Sequence, residues 1–500
     1  MADLTGPARS QSTEATQVEV ACNEAVRASA ELARLGRRGR ARLLRAIADA
    51  LESDRPGIVD VATDETGLAP TRIESELSRT VFQLRLFAGV CDDGSYLEAS
   101  IDRPTDIPMG PRPDLRRMVI PIGPVAVFAA SNFPLAFSVP GGDTASAIAA
   151  GCAVVVKVHP AHPRTSLRAH RCIVAACGEV GAPDTVVQLV VAEDAGVALV
   201  QHPLIAAVGF TGSVAGGRAL HDVAAARPQP IPFYGELGSL NPLVITPAAA
   251  AERGAQIAAG LVQSFTLAMG QFCTKPGLVL VPATEAGSAL QAAVRELAED
   301  VAAGPMLSER IATGYASGLE QLRAADGVRV EVAGTVRDFC GASARLAAPA
   351  VLAIDAGQLS GPLLEECFGP VVVLVAYRDE NELLATLQRL NPSLAAAIHV
   401  GLTDGEEPAA EMVRRVLDVL ISRAGRIVWD GYPTGVAVTW SMHHGGPYPA
   451  TTAPLHTSVG TTAIRRWLRP VSFQDVPEGF RPDAVRDRPA DPVPQRVDLG

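Results

Sequence analysis

The sequence predicts an α/β fold with two doubly wound domains, and three observations support this. From Met118, short apolar runs such as "AVVVKV" and "VVQLVV" alternate with helical stretches, which is typical of parallel βαβ units. The alternation begins again after Pro242, with the runs "PGLVLVP" and "GPVVVLVAY". A chain of 500 residues is also too long for one ordinary core, so two or three packed units are expected.

The segments outside this alternation have their own patterns. Apolar residues spaced by three and four predict amphipathic packing helices over about residues 14–90. Residues 102–117 are rich in Pro and Arg, which favours an exposed hairpin or arm over a core element. Residues 476–500 are polar and Pro-rich, so we expect a loosely attached tail.

Composition excludes several classes of protein. The net charge is −11, only 4% of residues are aromatic, and no long block of basic residues occurs, so nucleic acid is an improbable partner. The polar start lacks the apolar region of a secretory signal, and the longest apolar runs are too short for a membrane span. We therefore expect a cytoplasmic protein with no membrane partner.

The cysteine pattern argues against a metal site. The eight cysteines form no CxxC pair and no His/Cys metal spacing. In a cytosolic chain most of them are expected to be small buried hydrophobic residues, with one or two reactive at most. Ordinary dinucleotide, phosphate-loop and serine-nucleophile fingerprints are also missing.

The chain instead carries an ordered series of motifs. They are "AASNFPLAFSVPGGDTASAIAAG", "VVVKVHPAHP", "GFTGSVAGG", "GELGSLNP", "GQFCTKPG" and "EECFGP", between residues 129 and 370. This series resembles the aldehyde dehydrogenase superfamily. The forms "GELGSLNP", "GQFCTKPG" and "MHHGGPYPATT" resemble in particular its 2-oxoglutarate semialdehyde (2,5-dioxopentanoate) dehydrogenases.

The resemblance implies an aldehyde dehydrogenase-like fold, with two doubly wound α/β domains and a small β oligomerisation arm. The NAD(P)-binding domain would comprise residues 1–101 and 119–242, and the catalytic domain residues 243–440. Residues 102–118 and 455–475 would form the arm, which in the family pairs with a neighbouring subunit. A homodimer or homotetramer is therefore expected.

Cys273 is the candidate nucleophile. A thiolate that adds to an aldehyde gives a thiohemiacetal, whose carbon-bound hydrogen can leave as hydride to a nicotinamide and produce a thioester that water cleaves. An arbitrary cysteine of this chain would more often be buried and inert. The motif around Cys273 favours the catalytic interpretation.

Two further residues match catalytic positions of the family. Glu236 in "GELG" matches the general base, which would need a partly desolvated site and a pKa raised toward neutrality; its alternative is a solvated glutamate at a strand end. Asn132 in "SNFP" matches the oxyanion asparagine, with the backbone N–H of Cys273 as second donor; its alternative is a turn before Phe133-Pro134.

Cofactor contacts are expected where strands and helices meet. Lys157 ends a predicted strand, where its charge can reach a ribose or phosphate. Gly212 and Ser213 precede a helix whose positive end can meet a pyrophosphate. The resemblance adds Glu366 and Phe368 at the nicotinamide ribose and ring. Taken singly, a snorkelling lysine, a serine N-cap and an acid-aromatic turn are alternatives.

The residues after Lys157 bear on the choice of cofactor. NAD-preferring relatives commonly carry a glutamate three residues after the lysine, where this chain has Pro160. With Lys157, His159 and Arg164 nearby in sequence, we predict that NADP is preferred and NAD also accepted. His159 and His162 by themselves do not predict a metal site.

The substrate prediction is an aldehyde, most specifically 2-oxoglutarate semialdehyde, oxidised to 2-oxoglutarate. Its carboxylate needs an arginine or backbone donors that the sequence does not identify. The pair His443-His444 could contribute, although surface histidines in a Gly/Pro loop are more common. Lys275 could modulate the pKa of the thiol or affect the binding of an anionic substrate.

Other functions stay open at this point. A fatty or other aliphatic aldehyde could be the substrate, and oxidation could be CoA-acylating, although such relatives generally lack a glutamate matching Glu236. From other classes come a cysteine hydrolase, which needs a histidine base, and a non-catalytic structural relative, which the presence of Asn132, Glu236 and Cys273 disfavours.

Overall fold

The computed structural model describes residues 6–192, 194–338 and 345–498. Cys340 and the outermost residues of the predicted first domain and tail lie outside these ranges. The described α-helices are α1 (Gly6–Ser53), α2 (Arg55–Thr66), α3 (Pro70–Asp93), α4 (Gly142–Ala150), α5 (Pro163–Val180), α6 (Ala195–Gln201), α7 (Val214–Ala225), α8 (Pro247–Thr266), α9 (Glu285–Glu299), α10 (Glu309–Arg323), α11 (Glu380–Arg389) and α12 (Ala409–Arg423).

The strands of the first half alternate with helices from residue 125 onward, as the sequence predicted. They are β1 (Ala99–Asp102), β2 (Thr105–Ile107), β3 (Gly110–Arg112), β4 (Leu115–Pro121), β5 (Val125–Phe128), β6 (Val154–Lys157), β7 (Val187–Val190), β8 (Ala207–Thr211), β9 (Phe233–Glu236) and β10 (Leu243–Ile245).

The strands of the second half form the remaining sheets. They are β11 (Leu278–Pro282), β12 (Gly304–Pro305), β13 (Arg329–Val332), β14 (Thr335–Asp338), β15 (Arg345–Ala348), β16 (Ala350–Asp355), β17 (Val371–Tyr377), β18 (Ala396–His399), β19 (Ile427–Trp429), β20 (Leu468–Gln474) and β21 (Gln495–Asp498).

The first large sheet has five strands in the order β7-β6-β5-β8-β9, all parallel. The chain moves outward from β5 to β7 and then returns to place β8 on the other side of β5. The order therefore reverses between β5 and β8, and the loops after these two strands border a crevice at the carboxyl edge. Asn132 follows β5 and Ser213 follows β8.

The second large sheet has seven strands in the order β13-β16-β17-β11-β10-β18-β19. Only β13 is antiparallel to its neighbour. Strands β11 and β17 are buried almost throughout and read as continuous apolar runs, as expected for strands covered on both faces. The two mainly parallel sheets, each connected through helices, confirm the predicted α/β fold class.

A third sheet has the order β20-β4-β1-β21. Strand β20 pairs with β4 along its whole length, from Leu468 opposite Pro121 to Gln474 opposite Leu115. This antiparallel pair joins residues 468–474, within the predicted arm segment 455–475, to residues 115–121, which extend beyond the predicted arm segment 102–118. Strand β20 forms one edge of the sheet.

The C-terminal segment differs from the loose tail that was expected. Strand β21 pairs in parallel with β1, Val485 is fully buried, and the guanidinium of Arg37 is paired with the carboxylate of Asp491. The composition of this segment did not predict an edge strand, because its partner strand β1 and Arg37 lie far upstream in the sequence.

Within residues 6–192, 194–338 and 345–498, no helix is both long and apolar enough to cross a membrane.

Candidate active site

The thiol of Cys273 lies in the loop between α8 and β11, and this loop has an unusual backbone. Residues 268–270 have φ of 48°, 53° and 63° in succession, a left-handed conformation that is uncommon outside glycine. At Gly270 a Cβ would stand 2.3 Å from the carbonyl oxygen of Gly369, so only glycine fits there. The loop is thus pressed against the segment that follows "EECF".

Lys275 and Asn241 hold this loop in place. Asn241 Nδ2 donates to the carbonyl of Cys273 at 2.8 Å and to that of Lys275 at 3.0 Å. The Lys275 ammonium is buried and donates to the carbonyls of Val371 at 2.8 Å and Cys367 at 3.3 Å. Lys275 therefore anchors the "EECFGP" segment to the thiol loop, and its ammonium is directed at backbone carbonyls.

Glu236, at the end of β9, faces the thiol across the site. Its side chain is 4% exposed, and the Ser458 hydroxyl donates to its Oε2. Its other oxygen, Oε1, lies 2.6 Å from His444 Nε2. That contact is close but lacks hydrogen-bond geometry, so Oε1 is a buried carboxylate oxygen without a hydrogen-bond partner among the described residues.

His444 completes a compact group with Cys273 and Glu236. The imidazole is 2% exposed, and its Nε2 lies 3.6 Å from Cys273 Sγ. Both the sulfur and the carboxylate therefore approach the same ring nitrogen. In a hydrolase triad the carboxylate holds the opposite nitrogen, so that the imidazole can relay a proton. This arrangement does not support the cysteine-hydrolase alternative.

Burial and neighbouring charges set the protonation of these groups. Burial, together with the charges of Glu236 and Glu366, raises the pKa of the Cys273 thiol well above its usual value. Burial alone would raise the pKa of Glu236, but the charge of His444 and the contacts of its carboxylate outweigh burial and lower it. The expected pKa near neutrality does not hold here, because His444 and Ser458 stabilise the carboxylate.

Asn132 lies beside the thiol loop. Its Nδ2 donates to the carbonyl of Gln271 at 3.0 Å, two residues before Cys273. An amide nitrogen carries two hydrogens, and this bond uses one of them. The structure thus brings Asn132, Glu236 and Cys273 to one place, as the sequence predicted for an oxyanion donor, a base and a nucleophile.

Glu366 borders the same space from the "EECFGP" segment. A Cβ on Gly238 would stand 2.3 Å from Glu366 Oε2, so the carboxylate lies directly against this glycine. Burial raises the pKa of Glu366 to about 7, and the charge of Lys275 partly opposes the increase. Phe368 is half-buried two residues further on.

The other predicted cofactor residues lie along the carboxyl edge of the five-stranded sheet. Ser213 caps α7, with its hydroxyl accepting from the backbone N–H of Gly216 at 3.2 Å, and both Ser213 and Gly212 are exposed. An exposed helix start presents the positive end of the helix dipole, which suits a pyrophosphate. These residues fit a nicotinamide dinucleotide.

Lys157 and His159 differ in charge. Lys157 is buried at the end of β6 and donates to the carbonyl of Val158 at 2.9 Å. Burial, and then the charges of His162 and Lys157, lower the pKa of His159 to about 3. His159 is therefore neutral at physiological pH and offers a hydrogen bond without a positive charge.

Two arginines bind a segment that contacts the thiol loop. Arg79 of α3 and Arg426 both donate to backbone carbonyls of residues 433–436, Arg426 at 2.8 Å. The same segment donates a backbone N–H to Thr274 Oγ1 at 3.0 Å. In both guanidinium groups Nε is buried without a partner in the described structure. Burial lowers the pKa of both guanidinium groups, and at Arg79 the negative charge of Glu76 opposes this effect.

A profile described as "Aldehyde dehydrogenase family" matches residues 5–446. The chain belongs to the aldehyde dehydrogenase family. It is 47% identical over 457 residues to "Alpha-ketoglutaric semialdehyde dehydrogenase 2" of Azospirillum brasilense, covering 90% of this chain and 85% of that protein. It is 38% identical over 476 residues to "Alpha-ketoglutaric semialdehyde dehydrogenase" of Acinetobacter baylyi, covering 94% and 89%.

The fold is also shared with solved structures. A betaine aldehyde dehydrogenase of Staphylococcus aureus in complex with NAD+ superposes with a TM-score of 0.76 at 21% identity, over 91% of this chain and 87% of that one. The protein is an oxidoreductase of a family that uses NAD(P) and an active-site cysteine. The predictions of family and enzyme class are confirmed.

Sequence reasoning about this aldehyde dehydrogenase did not find Ser458, Arg79 or Arg426, and it left the role of His444 open. The pair His443-His444 was named as a possible contributor to substrate binding, with a surface position as the more common alternative in a loop of Gly and Pro. The burial of His444 depends on contacts with Glu236 and Cys273, which lie 208 and 171 positions away. One signal existed in the sequence, namely the histidine pair within a segment resembling part of the family.

Proposed function

We propose that this aldehyde dehydrogenase oxidises 2-oxoglutarate semialdehyde to 2-oxoglutarate through a thioester on Cys273. Water supplies the second oxygen of the product carboxylate. The names of the Azospirillum and Acinetobacter relatives support the choice of substrate. The observation that carries it is a pair of half-buried arginines beside the thiol loop, Arg79 and Arg426, whose Nε atoms are buried without a hydrogen-bond partner among the described residues.

In the proposed reaction, the Cys273 thiol gives up its proton to solvent, and the sulfur adds to the aldehyde carbon to form a thiohemiacetal. The negative charge on the former carbonyl oxygen meets the Asn132 amide and the backbone N–H of Cys273. NAD(P)+, with its nicotinamide held by Glu366 and Phe368, would supply the hydride acceptor needed to convert the thiohemiacetal into a thioester. Glu236, kept ionised by His444 and Ser458, takes a proton from the water that cleaves the thioester.

Substrate recognition follows from the two arginines. A guanidinium group cannot give up its proton in a protein, so a desolvated arginine is stabilised by an anion. A carboxylate at the far end of the substrate would pair with the free Nε–H groups of Arg79 and Arg426 while its aldehyde reaches Cys273. A fatty or other uncharged aldehyde would leave these charges unpaired, which disfavours that alternative substrate.

We further propose that NADP is preferred over NAD. Pro160 is exposed and places no carboxylate where an adenosine 2′-phosphate would be repelled. Of the cations named from the sequence, His159 is neutral and Arg164 lies 2.6 Å from Asp64, whereas Lys157 stands at the carboxyl end of β6, where a positive charge can reach a ribose or phosphate. The holding residues would be Lys157, Gly212 and Ser213 at the adenosine and phosphates, with Glu366 and Phe368 at the nicotinamide.

The assembly and location extend this proposal. We propose a homodimer or homotetramer in the cytoplasm, formed through the arm of β4 and β20. A β20 edge that lies open in one chain can add a strand of a neighbour. Light scattering coupled to size-exclusion chromatography measures the mass directly, and a monomeric mass would contradict the oligomer.

One experiment tests the proposed activity. Purified protein is mixed with NADP or NAD and a panel of aldehydes with and without a distal carboxylate, and reduced nicotinamide is followed by absorbance. We expect reduction without CoA, the highest kcat/KM for 2-oxoglutarate semialdehyde, and no reduction by Cys273→Ala. Reduction that requires CoA, or a preference for uncharged aliphatic aldehydes, would contradict the proposal.

A further inference from the structure

The groups that surround the thiol have a second chemical capacity. Cys273 Sγ, His444 Nε2 and a Glu236 oxygen all lie within 4.8 Å of one another. We propose that these three atoms form a binding site for Zn²⁺ or a similar borderline-soft divalent cation, and that an ion held there switches the enzyme off. The sequence argued against a metal site because it contains no metal-binding spacing of His and Cys. A site whose three ligands lie far apart in sequence leaves no such spacing.

The donor set matches the preferences of zinc. A thiolate, an imidazole and a carboxylate are the ligand types that Zn²⁺ takes in proteins, and three of them leave a fourth position for water. Calcium and magnesium prefer sites made of oxygen atoms alone. Sulfur and nitrogen in one small group therefore select a softer ion.

The distances also suit a tetrahedral ion. With a Zn–S bond of about 2.3 Å and a Zn–N bond of about 2.0–2.1 Å, the two ligand atoms stand about 3.6 Å apart. Cys273 Sγ and His444 Nε2 are separated by 3.6 Å. The carboxylate must move, because Glu236 Oε1 is 2.6 Å from Nε2 and two such ligands of zinc are separated by about 3.4 Å.

Neighbouring groups orient two of the three ligands, Glu236 and His444. Oε1 of Glu236 is buried without a hydrogen-bond partner among the residues described, so binding an ion costs it no existing hydrogen bond. The Ser458 hydroxyl holds Oε2, and the His444 backbone N–H donates to Thr457 Oγ1 at 2.8 Å. Such supporting contacts orient the atoms that bind a metal.

An ion can reach the site from solvent. A pocket that is open to solvent is lined in part by Glu236, His444 and Ser458, and Cys273 itself is partly exposed. On binding, the S–H proton passes to solvent and the sulfur forms a bond to the ion. The occupied enzyme then lacks both its nucleophile and its base, so it cannot form or cleave the thioester.

Cobalt absorption provides a direct test that does not depend on the substrate. The purified full-length protein is titrated with Co²⁺, and we expect a thiolate-to-cobalt charge-transfer band with the intense visible bands of a tetrahedral ion, saturating at one ion per chain. Zn²⁺ should displace these bands. His444→Asn and His444→Gln should each lose the bands, and His443→Asn, a change at the neighbouring histidine, should keep them.

Inhibition provides the second measurement. Zn²⁺ should inhibit NAD(P) reduction reversibly, with EDTA restoring the rate, and His444→Asn should weaken inhibition at least tenfold. The absence of a charge-transfer band in the wild-type protein would overturn the proposal. So would unchanged zinc inhibition in both His444 variants, since zinc would then bind without the imidazole. A wrong aldehyde substrate leaves the cobalt spectrum unaffected, so this failure is distinct from failure of the proposed function.

Discussion

His444 Nε2 lies 3.6 Å from the sulfur of Cys273, although 171 positions separate the two residues in sequence. The same nitrogen is 2.6 Å from a carboxylate oxygen of Glu236. The nucleophile and the base therefore share one neighbour, which stabilises the ionised form of Glu236. The geometry of this contact differs from that of a hydrolase triad. It also places an imidazole, a third possible metal ligand, beside the thiol and the carboxylate that the family reaction needs.

Glu236→Gln is expected to separate the two halves of the reaction. Glutamine keeps the size of the side chain but cannot accept a proton from water, so deacylation should slow by about 100-fold or more. Stopped-flow absorbance should still show a burst of about one reduced nicotinamide per active site, followed by slow turnover. Equal loss of the burst and of turnover would contradict a role in deacylation, and Cys273→Ala is the control that abolishes both.

Arg79→Gln is expected to lower kcat/KM for semialdehydes that carry a distal carboxylate by about 10- to 100-fold, because a hydrogen bond to a charged group contributes about 1.5–3 kcal/mol. Uncharged aldehydes should be affected much less. The matched control is Arg85→Gln on the same helix, where the arginine is about half-exposed and pairs with Asp49. Steady-state kinetics with both kinds of aldehyde decide the matter, and an equal loss for both would argue against carboxylate recognition.

Cofactor affinity is expected to depend on pH through Glu366. Its folded-state pKa is raised to about 7, so the carboxyl is largely neutral below that pH and ionised above it. An ionised carboxylate accepts ribose hydroxyls better, so the Kd for NAD(P) should fall by up to about tenfold between pH 6 and pH 8. Calorimetry on the Cys273→Ala protein measures this without turnover.

Two variants check the assignment of that pH dependence. Glu366→Gln should flatten the profile, whereas Glu365→Gln, at an exposed neighbour, should leave it unchanged. A profile that persists in Glu366→Gln would assign the titration to another group.

Lys275→Met is expected to loosen the contact between the thiol loop and the cofactor segment. The substitution removes the donors for the carbonyls of Val371 and Cys367, and an unpaired buried acceptor costs about 1–3 kcal/mol. Differential scanning calorimetry should show a Tm lower by about 2 °C or more. Because the Lys275 charge lowers the pKa of Glu366, the midpoint of the pH profile above should also move upward. An unchanged midpoint would mean that the two charges do not interact.

Pro160→Glu is expected to turn cofactor preference toward NAD. A carboxylate at this exposed position would repel a 2′-phosphate and accept from a 2′-hydroxyl, so the ratio of kcat/KM for NADP to that for NAD should fall at least tenfold. Pro160→Gln separates the charge from the loss of proline, since it should change the ratio much less. If the wild-type protein already favours NAD tenfold, the proposed preference for NADP is wrong.

The sequence by itself determined the fold class, the alternation of strands and helices, and the family. These are local or ordered features: a buried parallel strand needs a continuous apolar run wherever it lies, and a motif such as "GQFCTKPG" takes its meaning from the ordered series of motifs in which it stands. Cys273, Glu236 and Asn132 were found in the same way, each from the motif around it, and the structure places them together.

The tertiary structure decided what depends on distant partners. The sequence left His444 open between a surface position and a role at the substrate, and it placed Lys275 near the thiol. In the structure, His444 contacts Cys273 and Glu236, whereas Lys275 donates to the backbone of Val371. The C-terminal strand β21 likewise became visible only beside β1. The burial, charge environment and hydrogen bonds of a residue depend on the neighbours that folding brings to it. A single sequence does not show which residues hundreds of positions apart will become neighbours.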